Sequence, residues 1–410
     1  MHCAQKLTDH IYWIGSNDWS TERFENLFPI PNGVSYNSYF IDDEKTCIVD
    51  SVDDSIRQEF FDNVEHLLNG RELDYLIVNH MEPDHCATLV ELLDRYPNVK
   101  MVGNKTTFRF FEQFYGRPAP NNYYEVKEGD TIDLGHHKLH SYTMPMVHWP
   151  EVTCTYESTT GTLFSADAFG TFGTINGNIF ADQLDFDRVY EDEARRYYTN
   201  IVGKYGAQVQ NALKKASSLD VKIIAPLHGP IWRTPDTISY ILSKYMHWST
   251  YNAEKKGVVI AFGSMYGNTA EMAQQLAKLL SLRGVTDIRI YDVSKTNPSY
   301  IISDAWKYSH LVCMAPTYNL GLYLTMENLL HELHALNFHN HKISIVGNHS
   351  WASGAMKRMV EYFTNEFKNM EIIGTPLDIK GALHDEQLPL FEELADSIVA
   401  SLEETDIKTL

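Results

Sequence analysis

The sequence predicts a two-domain protein of the mixed α+β and α/β classes. We expect an α+β domain over residues 1–252 and a doubly wound parallel sheet over residues 253–410. Length is the first reason, because 410 residues are more than one domain usually holds. The second is a polar connector at residues 252–256 that lacks apolar spacing. The third is the regular alternation of strand, loop and amphipathic helix that begins at Gly257.

The composition is that of an acidic globular protein. Apolar residues make up 44% of the chain, which is ordinary for a protein with a real core. The formal net charge of −20 argues against binding to nucleic acid or to an anionic membrane by electrostatics. No apolar run approaches the roughly 20 residues of a membrane span. We therefore expect neither kind of partner.

The cysteines indicate a reducing compartment. They are odd in number, scattered, and form no Cys-x-x-Cys pair. Their positions are Cys3, Cys47, Cys86, Cys154 and Cys313. An iron–sulfur or rubredoxin module would need clustered thiolates, so we expect none in this sequence. The expected location is the cytoplasm.

The first 60 residues predict β structure. Residues 11–14 form a short strand, and residues 35–41 and 46–49 form a strand pair around the turn at 42–45. Asp50 ends the second strand of that pair. It is either a support for a ligand histidine or a turn cap.

Residues 80–85 read His-Met-Glu-Pro-Asp-His and carry four potential metal ligands. They follow the apolar run 73–78 and precede the amphipathic run 88–96, so we predict a strand, a ligand-bearing turn and a helix. Imidazoles together with carboxylates bind iron, zinc or manganese. The alternative is a solvated polar loop, which leaves this density of ligands unexplained. The four candidates are His80, Glu82, Asp84 and His85.

Three more candidate ligands directly follow predicted strands at residues 139–147, 162–166 and 221–227. Each alone would more often be a hydrogen-bonded loop residue. Four strand ends that all carry ligand chemistry predict one metal centre. Trp149 is expected to form a wall of its pocket. The three further ligands are His148, Asp167 and His228.

The C-terminal domain carries a loop suited to phosphate. A strand at 257–262 leads into the loop 263–269 and a helix at 270–282. Small and hydroxyl residues before a helix leave backbone N–H groups and the helix dipole aimed at one point. The loop has neither the Gly-x-Gly-x-x-Gly pattern nor the lysine of a triphosphate-binding loop, which disfavours a dinucleotide or a nucleoside triphosphate.

Two further loops follow strands at 311–314 and 342–346, and in a doubly wound sheet they emerge at the same edge. These loops contain Tyr318 and Trp351, whose flat side chains could pack against a planar ring bound at this edge. Three ordinary βα loops are the alternative. The candidate cofactor-binding residues are Ser264, Met265, Tyr266, Gly267, Asn268, Thr269, Pro316, Thr317, Tyr318, Asn319, Ser350, Trp351, Ala352, Ser353 and Gly354.

The ligand pattern resembles the metallo-β-lactamase-like domain of the flavodiiron proteins, and the three loops resemble those with which flavodoxins bind FMN. The resemblance covers nearly the whole chain. It implies an N-terminal αββα sandwich followed by a flavodoxin-like doubly wound parallel sheet. It also implies FMN and two irons per chain. One iron would be held by His80, Glu82 and His148, the other by Asp84, His85 and His228, with Asp167 as the bridge.

Glu82 separates this pattern from the zinc hydrolases of the superfamily, which carry a second histidine there. An additional anionic oxygen favours iron. Three carboxylates and four neutral histidines leave two ferrous ions with a net charge of about +1. Seven ligands, one of them bridging, cannot fill two six-coordinate shells. Positions therefore stay open for a small molecule.

The resemblance implies a soluble terminal oxidoreductase that reduces dioxygen to water, nitric oxide to nitrous oxide, or both, with FMN recharging the irons. A head-to-tail homodimer, or a dimer of dimers, would place each flavin beside the irons of the partner. A separate rubredoxin or a flavin reductase is the expected electron donor. Tyr197 or Tyr198 is a candidate donor near the irons, with core packing as the alternative. Both lie in the helical stretch 188–217, which residues 203–206 are expected to break.

One departure from the family pattern concerns substrate preference. Many members carry a histidine in a Phe-His-Gly stretch after an Asp-Trp pair. Here Asp18 and Trp19 are followed by Ser-Thr-Glu-Arg-Phe-Glu-Asn at residues 20–26, without a histidine. The sequence therefore leaves open which gas is preferred.

Two other functions stay open. One is a zinc-dependent metallo-β-lactamase-like hydrolase with a flavodoxin-like appendage, which would use a metal-bound hydroxide. The other is an electron carrier whose first domain is structural. The metal content of the purified protein distinguishes the three functions.

Overall fold

The computed structural model describes residues 1–407. It divides into two compact units, residues 1–198 with 207–245, and residues 199–206 with the chain from Met246 onward. The predicted boundary at residue 252 stays a prediction. Residues 408–410 of the predicted second domain lie outside the described residues.

The N-terminal unit contains two sheets of short strands. The strands are β1 (Gln5–Lys6), β2 (Ile11–Trp13), β3 (Ser16–Asp18), β4 (Arg23–Phe24), β5 (Phe28–Pro29), β6 (Val34–Tyr36), β7 (Tyr39–Ile41), β8 (Cys47–Val49), β9 (Tyr75–Ile77), β10 (Lys100–Gly103), β11 (Tyr124–Glu125), β12 (Thr131–Asp133), β13 (Lys138–Thr143), β14 (Thr153–Glu157), β15 (Thr162–Phe164) and β16 (Ile223–Ala225). The α-helices that begin before residue 250 are α1 (Arg57–Leu68), α2 (Pro83–Cys86), α3 (Leu89–Arg95), α4 (Lys105–Tyr115), α5 (Phe186–Val189), α6 (Glu191–Tyr197), α7 (Gly206–Ala216) and α8 (Pro235–Ser249).

The first sheet has the order β1-β2-β7-β8-β9-β10-β11, and the second has the order β12-β13-β14-β15-β16. Strands β8 to β11 are parallel and alternate with helices α1 to α4 along the chain. In the second sheet, β12 to β15 run antiparallel and β16 joins β15 in parallel. Two smaller ribbons, β3–β6 and β4–β5, lie outside these sheets.

The core of this unit combines side chains of both sheets in one buried cluster. Alternate residues contribute, as the two-residue period of a strand requires. Ile11 and Trp13 of β2 and Ile41 of β7 meet Ile223 and Ala225 of β16 in this cluster. Two sheets that share one apolar core, with helices along the chain between parallel strands, form the predicted αββα sandwich.

The C-terminal unit alternates strands and helices. Its strands are β17 (Lys255–Phe262), β18 (Ile288–Asp292), β19 (Tyr308–Tyr318), β20 (Gly321–Leu322), β21 (Lys342–His349), β22 (Glu371–Ile372) and β23 (Leu377–Lys380). Its helices are α9 (Asn268–Leu282), α10 (Pro298–Lys307), α11 (Leu324–Ala335), α12 (Ala355–Glu361) and α13 (Leu388–Glu404).

The sheet of this unit has the order β18-β17-β19-β21-β22, with β23 also on β21 and all these pairs parallel. The order reverses between β17 and β19, which is where doubly wound sheets bind ligands. Helices α9 and α13 cover one face, where Met272, Leu276 and Phe391 join Val312 and Val346 of the strands. The predicted doubly wound sheet is confirmed.

Most predicted elements form, with shifted ends. The strand expected at 139–147 ends at Thr143, because Met144 donates its N–H to Val152 O at 2.8 Å and Met146 has a φ of 64°. The helical stretch 188–217 is interrupted at Gly203–Tyr205, within the predicted break at 203–206, and also at earlier positions. It divides into α5, α6 and α7, with a π-helical turn at Tyr198–Val202 and a 3₁₀ turn at Gly203–Tyr205 before α7.

Candidate functional site

The seven predicted ligands all lie in segments that follow strands, namely β9, β13, β15 and β16. They are His80, Glu82, Asp84, His85, His148, Asp167 and His228. Six of them are buried, and the Asp84 side chain is 12% exposed. Asp84 and His85 lie within α2, which Pro83 begins. Proline favours the first position of a helix, so it fixes the turn that aims these side chains.

One cluster forms around His148. Its Nε2 atom lies 2.9 Å from Glu82 Oε2 and 3.0 Å from Asp167 Oδ2. The Nε2 atom of His80 lies 3.3 Å from the same Glu82 oxygen, 3.4 Å from His148 Nε2 and 3.5 Å from Asp167 Oδ2. The four donor atoms all lie within 4.8 Å of one another.

A second cluster forms around His85. Its Nε2 atom lies 3.0 Å from His228 Nε2 and 3.3 Å from Asp84 Oδ2. The distance from His228 Nε2 to Asp84 Oδ2 is 3.2 Å. The Oδ1 atom of Asp167 lies 3.0 Å from His85 Nε2. Asp167 therefore turns one carboxylate oxygen to each cluster.

These spacings fit metal ions. Two donors bound at about 2.1 Å and at right angles lie about 3.0 Å apart, which is the spacing between the His85 and His228 nitrogens. Both oxygens of Asp84 and Oδ1 of Asp167 are buried and accept no hydrogen bond within residues 1–407. Buried carboxylate oxygens that accept no hydrogen bond are stabilised by a nearby cation. The donor set suits two ions that accept both nitrogen and oxygen.

The charges of the centre shift proton affinity. Burial lowers the pKa of His148, but its hydrogen bonds to Asp167 and Glu82 raise that pKa overall to about 9. Burial raises the pKa of Asp167, but the charges of His80 and His85 hold it well below its usual range. Metal binding must therefore displace protons from imidazoles, so affinity for metal increases with pH.

The ligand histidines are oriented by partners on their other ring nitrogen. His80 Nδ1 lies 2.8 Å from Glu151 Oε1, which also accepts the N–H of Met81 at 2.9 Å. His228 Nδ1 lies 2.9 Å from the carbonyl oxygen of Ser35. A hydrogen bond from Nδ1 fixes the tautomer and leaves Nε2 free to bind metal. Both histidines thus present Nε2 to the centre.

Asp50 supports the ligand loop through its backbone. Its Oδ1 atom accepts the N–H of Asn79 at 2.7 Å and the N–H of His80 at 3.2 Å. Burial raises the pKa of Asp50 to about 6. The residue stands at a φ of 57°, directly after β8. Its side chain therefore holds the loop that carries His80, which is one of its two predicted roles, and the turn cap stays a prediction.

Asn37 holds the loop that carries His228. Its Nδ2 atom donates to Pro226 O at 2.8 Å and to Gly229 O at 2.9 Å. Its N–H donates to Leu227 O at 2.8 Å. One buried amide thus fixes a loop far along the chain to the segment between β6 and β7.

A pocket of about 360 Å³ opens onto the centre. Glu82 and Asp84 form its floor, and Arg23 and Glu25 of the β4–β5 hairpin lie on its wall. Glu25 is exposed at the hairpin tip, yet its carboxyl group is desolvated where it meets Glu82. That desolvation, together with the contact to Glu82, raises the pKa of Glu25 to about 8. With Asp53, the pocket therefore contains four carboxyl groups.

The two candidate tyrosines lie in different surroundings. The ring of Tyr197 is 5.4 Å from that of His228, and its hydroxyl group is buried without a hydrogen-bond partner in the described chain. The ring of Tyr198 packs 4.9 Å from that of Tyr245 instead. Trp149 lies edge-on to His80, with ring centroids 5.4 Å apart. Tyr197 is thus the tyrosine beside a ligand.

The phosphate-type loop precedes α9. Gly267 has a φ of 102° and donates its N–H to Ser264 Oγ at 3.1 Å. A Cβ atom at Gly267 would meet nothing, so its conformation rather than crowding requires glycine. Tyr266 is 92% exposed. The loop leaves the N-terminus of a 15-residue helix open to an anion.

The other two predicted loops are joined by Thr317. Its Oγ1 atom accepts the N–H groups of Gly354 at 3.0 Å and Ala355 at 3.1 Å. Two aromatic side chains of these loops point outward: Trp351 is 82% exposed and Tyr318 is 38% exposed. Since β17, β19 and β21 are parallel neighbours, all three loops lie at one sheet edge. Exposed aromatics beside an anion site fit a flat, phosphorylated ring.

Comparisons with known proteins agree with both halves. Residues 34–229 match the ODP family beta lactamase, and residues 260–393 match the flavodoxin family. The rubredoxin oxygen:oxidoreductase of Desulfovibrio gigas and the flavodiiron protein of Giardia intestinalis each superpose with a TM-score of 0.91 at 25% identity, over 98% of either chain. The anaerobic nitric oxide reductase flavorubredoxin of Klebsiella pneumoniae is 30% identical over 363 residues, 86% of this chain and 73% of that relative. The chain belongs to the flavodiiron protein family.

The predicted family and fold class of this flavodiiron protein are thereby confirmed. Within residues 1–407, no helix is both long enough and apolar enough to cross a membrane. The roles of the individual ligand and flavin-loop residues stay predictions, although the structure brings the seven ligands into two adjoining clusters.

Glu151, Glu25 and Ser35 are among the residues of this flavodiiron protein's site that the sequence analysis missed. Glu151 stands three residues after His148 in the same loop, and an acidic residue so close to a predicted ligand was a usable signal. Glu25 lies within the stretch noted for its missing histidine. Ser35 acts through its backbone carbonyl oxygen, which no side-chain pattern can reveal.

Proposed function

We propose that this protein is a terminal oxidoreductase that reduces dioxygen to water, and nitric oxide to nitrous oxide, at a non-haem diiron site recharged by FMN. The main support is the position of Asp167. One of its carboxylate oxygens lies 3.0 Å from His148 Nε2, and the other lies 3.0 Å from His85 Nε2. A carboxylate shared in this way is what a bridge between two adjacent ions requires.

The chain's own residues would hold the irons as the clusters suggest. His80, Glu82 and His148 form one ligand set, and Asp84, His85 and His228 the other. Glu151 and the Ser35 carbonyl oxygen orient one imidazole in each set. When bound, the two ferrous ions supply two electrons and reduced FMN supplies two more, which is the number that dioxygen needs to become water.

The pocket above Glu82 and Asp84 would admit the gas. These carboxylates leave one side of the centre open, because Arg23, Glu25 and Tyr36 line the pocket without closing it. Two carboxylates in contact hold a proton or a cation between them, so Glu25 and Glu82 can retain a proton beside the reacting gas. Tyr197 adds a buried hydroxyl group on the His228 side.

FMN would bind at the three loops of the C-terminal unit. The N-terminus of α9 and the hydroxyl groups of Ser264 and Thr269 suit the phosphate. Tyr318 and Trp351 suit the two faces or edges of the ring. The remaining predicted loop residues would contribute backbone donors.

The partner assignments follow from the family. Relatives named for rubredoxin suggest a rubredoxin-type electron donor, and we propose a separate rubredoxin or a flavin reductase. We also propose a head-to-tail homodimer or a dimer of dimers. The five free cysteines, four of them buried, support a cytoplasmic location.

Metal and flavin analysis of protein purified without added metal tests the function. About two irons and one FMN per chain are expected. The reduced protein should then reoxidise rapidly with dioxygen or nitric oxide, and the faster gas identifies the preferred substrate. Zinc that persists after expression in iron-rich medium would instead indicate the hydrolase. Flavin without metal would indicate the electron carrier.

A further inference from the structure

A small apolar cavity of about 30 Å³ lies beneath the loops that carry His148 and Asp167. Its floor is formed by strand residues such as Cys154 of β14 and Leu163 of β15. Its roof is one face of α7, where Val209 and Leu213 point inward. The cavity lies wholly within the N-terminal unit.

The cavity exists because small side chains occupy the positions where the helix crosses the sheet. Ala212 and Ala216 on α7 and Ala168 on the loop leave space that longer side chains would fill. Val209, Leu213 and Ala216 have the spacing of one helix face. The gap is therefore encoded by residue size.

The cavity offers little to water. Its polar neighbours are engaged elsewhere, since Ser165 Oγ donates to Ala168 O at 2.8 Å and Tyr245 Oη accepts the N–H of Phe169 at 2.5 Å. A buried water needs two to four polar partners, and apolar cavities without them stay dry and take apolar guests such as xenon. A volume of about 30 Å³ holds one or two water-sized atoms. That size suits a diatomic molecule.

Two residues that line the cavity are sequence neighbours of predicted metal ligands. Val147, on its wall, directly precedes His148, and Ala168 directly follows Asp167. The same two loops thus separate the cavity from the ligand clusters. A molecule in the cavity would lie on the far side of those loops from the metal ligands.

We propose that this cavity binds a neutral diatomic gas, dioxygen or nitric oxide, and stores it beside the diiron centre. The identity of the gas as a substrate rests on the proposed function, whereas binding of an apolar guest does not. The cavity is distinct from the polar pocket above Glu82 and Asp84, which is lined by charged groups.

Xenon is the probe, because it is apolar, uncharged and similar in size to a diatomic gas. We expect one xenon atom in this cavity in crystals of the full chain under xenon pressure, and a matching exchange signal in ¹²⁹Xe NMR. Ala212→Leu should remove the site. Ala207→Leu is the matched control, because Ala207 lies on the exposed face of the same helix and outside the cavity.

A second variant guards against a folding failure. Leu213→Ala should enlarge the cavity and increase xenon occupancy. Xenon absent from the unsubstituted protein would overturn the proposal, and so would xenon that persists unchanged in Ala212→Leu.

The role in substrate supply has its own readout. In Ala212→Leu we expect the KM for dioxygen to rise severalfold with kcat unchanged, while Ala207→Leu matches the parent. If the substituted side chain of Ala212→Leu abolished xenon binding but left the KM for dioxygen unchanged, the role in substrate supply would be overturned. Xenon binding in a protein that consumes neither gas would refute the proposed function and leave the apolar site standing.

Discussion

The metal centre and the flavin loops are built in opposite ways. Six of the seven predicted metal ligands are buried, and His80 and His228 are each held at Nδ1 by a hydrogen-bond partner. The aromatic side chains of the flavin loops are largely exposed, with Tyr266 at 92% and Trp351 at 82%. A cluster of charges needs preorganised partners before it can be buried. A flat ring instead needs only an open surface that it then covers.

The buried histidines show the same contrast. In the metal centre, burial lowers the pKa of His148, yet contacts with Asp167 and Glu82 raise it to about 9. In the C-terminal unit, burial and the Lys342 charge lower the pKa of His310 to about 3. Carboxylates surround the first histidine, whereas Ser309 and Ser401 hydroxyl groups contact the second. The surroundings of His148 thus suit a metal ligand, whereas those of His310 are typical of core packing.

The largest expected effect comes from Asp167→Asn. An amide cannot bridge two cations through two anionic oxygens, so we expect iron content to fall below one per chain and gas reduction to fall at least about 100-fold. FMN content should stay unchanged. Metal analysis measures the iron content, and oxygen uptake measures the rate of gas reduction. Asp133→Asn, at a carboxylate 60% exposed, is the control. Normal iron content in Asp167→Asn would refute the bridge.

Glu151→Gln tests whether orientation of a ligand matters as much as the ligand itself. The substitution keeps the shape but weakens the hydrogen bond to His80 Nδ1, so we expect iron affinity to fall about 10- to 100-fold. Competition with a chelator measures the change. Glu125→Gln, on the exposed strand β11, should match the parent. If iron affinity were the same in both variants, preorganisation by Glu151 would be excluded.

Trp351→Ala tests the open site. Loss of one aromatic neighbour should weaken FMN binding about 10-fold, equivalent to about 1.4 kcal/mol, and leave iron content intact. Fluorescence titration of FMN into flavin-free protein gives the affinity. Trp19→Ala provides the control, because Trp19 is 71% exposed in the other unit. Equal FMN affinity in the two variants would mean that Trp351 does not contact the ring.

The smallest effect concerns pH and the C-terminal unit. The pKa of His310 is about 3 in the folded chain and 6.5 when unperturbed. Above pH 6.5 both states are neutral, and stability is complete. As pH falls below 6.5, only the unfolded chain binds a proton, so folding loses up to about 1.4 kcal/mol per pH unit until about pH 3.

Urea unfolding at pH 7 and pH 5.5 measures that loss. We expect His310→Asn to reduce the pH dependence by about 1 kcal/mol over this interval, even if the variant is less stable at both values. His331→Asn, at an exposed position of α11, should keep the parent slope. A slope unaffected by His310→Asn would assign the acid sensitivity to another group.

Much of this contrast was predictable from the sequence, because many site residues lie directly beside the strand or helix that positions them. His80 and Glu82, or Gly267 before α9, stand beside the strand or helix that positions them, so strand-end patterns reveal them. The features that the sequence did not predict depend either on backbone conformation or on contacts between residues far apart in the chain. The early end of β13 depends on a turn that Met146 makes at a φ of 64°. The contact of Glu25 with Glu82 joins segments whose proximity no local pattern encodes.

The hydrogen bonds of Asn37 to the loop around His228 have a consequence for biosynthesis. The residues that these bonds join are separated by 189 and 192 positions in the sequence. His85 precedes its spatial neighbour His228 by 143 positions. At roughly 5 to 20 residues per second, a ribosome needs about 7 to 30 s to cover that interval. Throughout it, the early ligands of the nascent chain have no complete site to offer. Iron loading therefore belongs after translation of the N-terminal unit, when the last imidazole has left the ribosome.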